Sequence, residues 1–356
     1  MARYIIRRLI QSIPIFFGIT LLSFMLMAAS GNPVAQLTFK PGAKPEERAR
    51  VEAELGVNDP LHIQYLRWLL GDDWMRWDSD GDGVSDKSFL LALDVDGDGK
   101  AEAPGRRRGV LRGDFGVSFT KKRPVIDIIM ERVPSTLELS ISSFVIGTTI
   151  GITVGIVAAV RRGWFDQVTR VMAVALTAIP IFWFALMVLM LFSVQFRILP
   201  IGDRCAMTLA DSCPPIWERF QYMILPVTVL SIGGVAGYSR VMRASMLDIV
   251  SQDYIRTAQA KGLSTRLVWY RHAARNAMIP IATSLGPAIT FLISGAVVTE
   301  TIFNYPGLGK TSIESVTQRD YPVVMALTIY AAVATILGYL LSDILYAVID
   351  PRIRFS

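Results

Sequence analysis

Residues 247–280 read LDIVSQDYIRTAQAKGLSTRLVWYRHAARNAMIP. The stretch lies between two apolar runs, Met223–Val241 and Ile279–Thr299, and the contrast with them decides how the chain is organised. It is too polar to sit in hydrocarbon and too long to be a simple turn. Asp253 through Ala260 consists mostly of good helix formers. Gly262 follows, where a helix can end in a left-handed cap. From Leu263 to Asn276 a basic, partly apolar helical pattern resumes. The expectation is a short surface helix that stops at a glycine, then a second helix leading back to an apolar segment. That is the shape of a docking element.

Outward from this stretch, the chain is a series of apolar runs. Leu9–Ala29, Leu137–Val160, Val171–Val194 and Tyr321–Ile349 join the two already named. Runs of about 20 residues are long enough to cross ~30 Å of hydrocarbon as helix. Lipid offers the backbone no partners, so each run is expected to be helical, which predicts an all-α integral membrane protein with about six spans. Gly and Pro inside the runs (Pro180, Gly233, Gly234, Gly286, Pro287) do not oppose this, because spanning helices tolerate both. A cleaved signal peptide is the competing reading of the first run, which follows Arg3, Arg7 and Arg8. The run is long for a signal core, and Ser30-Gly31-Asn32-Pro33 is a poor cleavage site, so a retained span is expected.

Composition fits: of 356 residues 52% are hydrophobic and 19% charged, below the roughly one quarter charged of soluble domains. The net charge of +6 does not point to nucleic acid, because the basic residues sit beside the spans. Arg161, Arg162 and Arg170 follow the second span, Arg240 through Arg275 the fourth, and Arg352 and Arg354 the last. The positive-inside rule then puts both termini and the 242–278 connection in the cytoplasm. It leaves residues 31–133 outside, since long loops cross largely regardless of charge. The expected division is a tail and first span (1–30), an external segment (31–133), a spanning core (134–350) and a cytoplasmic tail (351–356). In the second span, Gly147, Gly151 and Gly155 make a flat stripe suited to close approach of another helix, whose identity the sequence does not give.

The connection at 247–280 resembles the EAA loop of binding-protein-dependent ABC importer permeases, in the version found in the dipeptide, oligopeptide and nickel family. The match runs Asp253-Tyr254-Ile255-Arg256-Thr257-Ala258-Gln259-Ala260-Lys261-Gly262-Leu263-Ser264, then Arg271-His272-Ala273-Ala274-Arg275-Asn276-Ala277 and Pro280, with Gln259 in place of a common Arg. Further matches are Gly31-Asn32-Pro33, Leu55-Gly56, Asp59-Pro60, Gln64-Tyr65-Leu66 and Gly113-Asp114-Phe115-Gly116-x-Ser118. Pro134-x-Thr136-Leu137, the run from Glu300 to Gly309, and Asp350-Pro351-Arg352 complete them. The single span before a large external segment is similar to the B-type permease of that family.

The resemblance implies a type I importer permease fold and a transporter subunit with no catalysis of its own, in a bacterial or archaeal cell membrane. It implies a second, C-type permease, two ATPase subunits that carry ATP and magnesium, and an extracytoplasmic substrate-binding protein. In that family the loop is a coupling helix seated on the ATPase. The residues expected to serve it are Asp253, Arg256, Thr257, Ala258, Ala260, Lys261, Gly262, Leu263 and Arg266. Small Ala258 and Ala260 would allow close approach, Gly262 would turn the chain, and the basic residues would meet acidic groove residues. Di- or oligopeptides are the expected substrate, with nickel complexes or oligosaccharides as the family's alternatives. An ion-coupled secondary transporter is the rival from another class. Such proteins keep ionisable groups at mid-membrane, whereas Glu138 and Asp343 here lie near span ends.

Three other features remain. Gly307-Leu308-Gly309-Lys310-Thr311 looks like the end of a phosphate-binding loop, but Asn304 stands where the first glycine is needed and no apolar strand precedes it. Nucleotide binding is not expected there. An acidic insertion at 72–112 holds two repeats, with Asp78, Asp80, Asp82 and Asp86 in one and Asp94, Asp96, Asp98 and Glu102 in the other. Alternating carboxylates before glycine suit a loop that wraps Ca²⁺, although Phe89 and Gly105 replace the bidentate Glu of an EF-hand. A solvated acidic loop is the alternative, and a membrane-anchored calcium sensor the corresponding rival function. Cys205 and Cys213, the two cysteines of the chain, share an external connection where an oxidising compartment favours a disulfide over free thiols.

Overall fold

The computed structural model describes residues 2–29, 60–71, 76–77, 87–88, 108–161, 163–205 and 213–349. The eight expected calcium ligands (Asp78 to Asp86 and Asp94 to Glu102), the 31–59 segment and the 351–356 tail lie outside them. The described chain is helical apart from two paired two-residue strands, β1 (Arg76–Trp77) and β2 (Lys87–Ser88), antiparallel with Arg76 opposite Ser88.

Helix α1 covers Ala2–Ala29 and α2 covers Leu61–Leu70. Then come α3 (Val125–Val160), α4 (Trp164–Ala178) and α5 (Ile181–Leu189), the last continued by a π turn over Met190–Gln195. Helix α6 is Gln221–Val250 and α7 is Asp253–Ala260. Helix α8 comprises Thr265–Leu267, a π turn over Val268–Ala273 and a last turn, Ala274–Ala277. Helices α9 (Ile279–Ser294), α10 (Val297–Ile302), α11 (Leu308–Thr317) and α12 (Tyr321–Ile349) complete the chain.

Four single helices are long and apolar enough to cross a membrane: Ile6–Ala29, Val125–Val160, Gln221–Val250 and Tyr321–Ser342. The pair α4 and α5 passes the same test jointly but is bent by 97°, which gives at most five among the described residues. The sequence predicts one straight span over Val171–Val194. The chain instead breaks at Ile179–Pro180, because proline has no N–H to donate and its ring excludes the preceding residue from helical geometry. Pro134 and Pro226 sit inside α3 and α6 without ending them. The fifth expected span, Ile279–Thr299, is also interrupted. Helix α9 ends at Gly295 (φ +90°) after 16 residues, about 24 Å of helix.

The chain divides into two compact units. One comprises Ile13–Glu131 and Glu314–Tyr330. Within it, Thr20 of α1 shares a 2.9 Å hydrogen bond with Tyr65 of α2, and Phe24 meets the rings of Tyr65 and Trp68. Its loop at 113–124 closes through a bridge between Val117 and Pro124. The buried carboxylate of Asp320 accepts four hydrogen bonds from that loop. They come from the Ser118 hydroxyl (2.5 Å), the Phe119 N–H (3.0 Å), and the Thr120 N–H (3.2 Å) and hydroxyl (2.6 Å). The Asp320 main-chain carbonyl accepts from Val324 N–H at the start of α12.

The other unit comprises Met1–Ser12, Arg132–Ile313 and Ala331–Ser356. In it the glycine stripe of α3 faces α6. A Cβ on Gly147 would stand 2.9 Å from the Ser231 carbonyl, on Gly151 2.9 Å from Tyr238 Cβ, and on Gly155 2.7 Å from Met242 Cβ. Small residues let the two backbones meet and gain dispersion contacts along the line.

Candidate coupling site

Helix α7 begins after extended Gln252, with Asp253 in the first turn where its charge suits the helix dipole. It is amphipathic. Ile255 (0% exposed) and Ala258 (9%) face inward and pack with Met242 and Met246 of α6 and Val268, Ala273 and Ala277 of α8. Asp253, Arg256, Thr257, Ala260 and Lys261 are exposed. Of the two alanines expected on the docking surface, only Ala260 lies outward; Ala258 belongs to the core because it falls three residues after Ile255. The Asp253–Arg256 pair, 3.7 Å apart and open to water, adds little stability.

Gly262 has φ +77° and donates its N–H to Gln259 O (2.9 Å), while Lys261 donates to Thr257 O (3.0 Å). A left-handed residue here satisfies carbonyls that α7 leaves open and turns the chain away. Ser264 then caps α8 by accepting from Leu267 N–H at 3.4 Å. Asn276 donates to the Tyr254 hydroxyl at 2.8 Å and ties the two helices together. Gly262, Leu263 and Arg266 are exposed, as are the outward residues of α7.

The base of this element is braced by residues that the sequence reading treats only as topology signals. Arg243, near the end of α6, grips Asp166 of α4 through two nitrogens, with Nη2 2.6 Å from Oδ2. Arg170 lies 3.7 Å from the same carboxylate. Asp166 is 8% exposed, and a buried carboxylate held by two cations is costly to lose.

A second charge cluster forms around Glu138 of α3. Glu138 is held by Arg204 (2.6 and 3.1 Å) and Arg219 (2.7 and 2.9 Å). Cys205 and Cys213, their Cα atoms 5.8 Å apart, are joined in a disulfide between those arginines. Burial pushes the neighbouring Tyr305 phenol well above its ordinary range, so it stays protonated.

The phosphate-loop look-alike also has a structural explanation. Glu300 is fully buried, and its carboxylate accepts from Thr136 Oγ1 (3.1 Å), Ala296 N–H (3.3 Å) and Lys310 N–H (3.0 Å). Thr136 in turn accepts from Leu308 N–H at 2.8 Å. A Cβ on Gly307 would stand 2.4 Å from Glu300, and one on Gly309 2.7 Å from the Val297 backbone. These glycines make room for an internal carboxylate.

Residues 151–355 match the family described as binding-protein-dependent transport system inner membrane component, and residues 1–76 match the N-terminal model for such membrane components. The chain is 38% identical to the oligopeptide transport system permease protein AppB of Bacillus subtilis (strain 168), over 100% of both chains. It is 36% identical to the dipeptide transport system permease protein DppB of Escherichia coli (strain K12), over 99% of each. With the glutathione transport system permease protein GsiC of Escherichia coli O1:K1 / APEC it shares 34% identity over 100% of both.

Proposed function

The chain belongs to the family of binding-protein-dependent transport system inner membrane components, and on that premise we propose that it forms half of the pathway through which an ATP-driven importer takes up di- or oligopeptides. It is a multi-pass permease subunit and not itself an enzyme; the family works with an ATPase and a substrate-binding protein. In the proposed assembly a C-type permease completes the pathway and two ATPase subunits sit beneath it, with both termini of this chain on their side of the membrane. Peptide is favoured by the relatives, two of which are peptide permeases and a third a permease for the tripeptide glutathione.

The observation that carries the coupling role is the outward patch of α7 and Gly262, anchored inward through Ile255 and Ala258. An inward anchor and a free outer face let a push on α7 reach α6 and α8 without loss in a flexible loop. ATP-driven closure of the ATPase pair would move α7, and the spans would rock between two access states. Gly262→Pro tests this in proteoliposomes holding the whole complex. Proline cannot adopt φ +77° and loses the N–H to Gln259. Uptake is expected to fall to background while the complex still assembles; unchanged uptake would overturn the coupling role.

A further inference from the structure

Helix α8 has an outer face that coupling, apart from Arg266 at its start, does not account for. Its inner face, Val268, Ala273 and Ala277, is buried in the cluster shared with α6 and α7. Its outer face carries Arg266, Arg271 and Arg275, which line one open groove of about 780 Å³ together with Leu267, Tyr270 and Met278. The π turn over Val268–Ala273 is what brings the arginines together. In a π turn residues five apart stack, so Arg271 follows Arg266, and Arg275 follows Arg271 by the ordinary four. Like charges in such a row repel one another. Among the described residues none of the three has an ion-pair partner. A row of this kind calls for an anion.

The apolar part of the groove indicates which anion. Tyr270 is 49% exposed and Met278 44%. Met278, the last residue lining the groove, is followed by Ile279, 48% exposed, where α9 begins its apolar course. A row of guanidiniums beside an exposed tyrosine, ending at Met278 and the start of an apolar helix, fits a molecule with a charged head and a hydrocarbon tail. Arginine and tyrosine beside the entry of an apolar helix are typical of the membrane–water boundary. We infer that the outer face of α8 binds the headgroup of an anionic phospholipid of the cytoplasmic leaflet, with an acyl chain along Met278 and Ile279. The inference rests on the orientation given under the proposed function. It assigns Arg271 and Arg275 to the membrane surface and leaves α7 to the ATPase. Bound there, the lipid would steady the lever between α7 and α9.

The test uses the whole complex in nanodiscs, carrying a photoreactive phosphatidylglycerol or a photoreactive phosphatidylcholine, with labelled peptides mapped by mass spectrometry. Phosphatidylglycerol is expected to label residues 266–279 preferentially. Each arginine near an anionic surface contributes a factor of about five, so R271Q/R275Q should cut that preference roughly thirtyfold. Millimolar inorganic phosphate should leave the labelling unchanged; competition would assign the site to free phosphate instead. Equal labelling by both lipids, or no effect of R271Q/R275Q, would overturn the inference, as would benzoylphenylalanine at position 270 crosslinking to an ATPase subunit. A cysteine at position 265 reports separately on orientation. If an impermeant thiol reagent reaches it only from outside the cell, the proposed function fails as well; if only from the cytoplasm, a negative lipid result touches this inference alone.

Discussion

Glu300 illustrates how one buried side chain dictates its neighbours. A carboxylate with no access to water must find donors, and it takes them from Thr136, Ala296 and Lys310. Room for it exists only because positions 307 and 309 have no side chains. Gly307→Ala is therefore expected to lower stability by about 1–3 kcal/mol through overpacking, seen as a reduced midpoint in thermal unfolding of the purified complex. An unchanged midpoint would mean that Glu300 swings aside freely. The sequence gives Glu300 and the glycines as parts of a motif but not as partners, since the contact joins residues that touch only in the folded chain. Glu138 was legible only as a charge near a span end. Its two arginines come from the connection between α5 and α6, 66 and 81 residues away.

Helix against helix, α3 and α6 are the pair that sequence pattern half reveals. Four-residue spacing announces a flat stripe on α3, but nothing in that spacing names Ser231, Tyr238 and Met242 as the opposing surface. Gly155→Ala should destabilise the complex by about 1–3 kcal/mol, because the added carbon meets the Met242 side chain and the Ser239 carbonyl. Gly233→Ala is the internal control. No atom lies within 4 Å of a Cβ there, so the helix should gain a few tenths to about 1 kcal/mol from reduced backbone freedom in the unfolded chain. Chemical denaturation of both variants, measured side by side, checks the contrast. The course of the α7–Gly262–α8 element was readable because its signals are local, helix formers and then a glycine suited to a left-handed cap, whereas the Ser264 cap appeared only in the structure. The π turn in α8 was not readable, since it is a packing solution that aligns Val268, Ala273 and Ala277 with one core. The break at Ile179–Pro180 shows the opposite failure. Proline inside a spanning run is usually tolerated, and Pro134 and Pro226 are, so the residue alone does not announce a bend.

For the whole molecule, the apolar runs fix the class and leave the acidic repeats within 72–112 to be tested. If the acidic repeats bind calcium, titration of the intact protein should show heat in the millimolar range of extracellular modules. A flat titration would leave them a solvated loop, and deletion of 74–111 with transport intact would dismiss a sensor function. The disulfide between Cys205 and Cys213 closes a short loop and should contribute roughly 2–3 kcal/mol to ordering that connection. Reducing the purified complex should speed proteolysis between Arg204 and Arg219 while α7 stays protected.

The elbow between α4 and α5 has a consequence for how the protein is made. The insertion machinery meets Val171–Val194 as an uninterrupted greasy ribbon and has reason to thread it as one rod. The finished chain turns there by 97°, so a run threaded as one rod would still have to acquire its elbow inside the bilayer. That step belongs to maturation, and a subunit caught before it would be threaded yet unfinished.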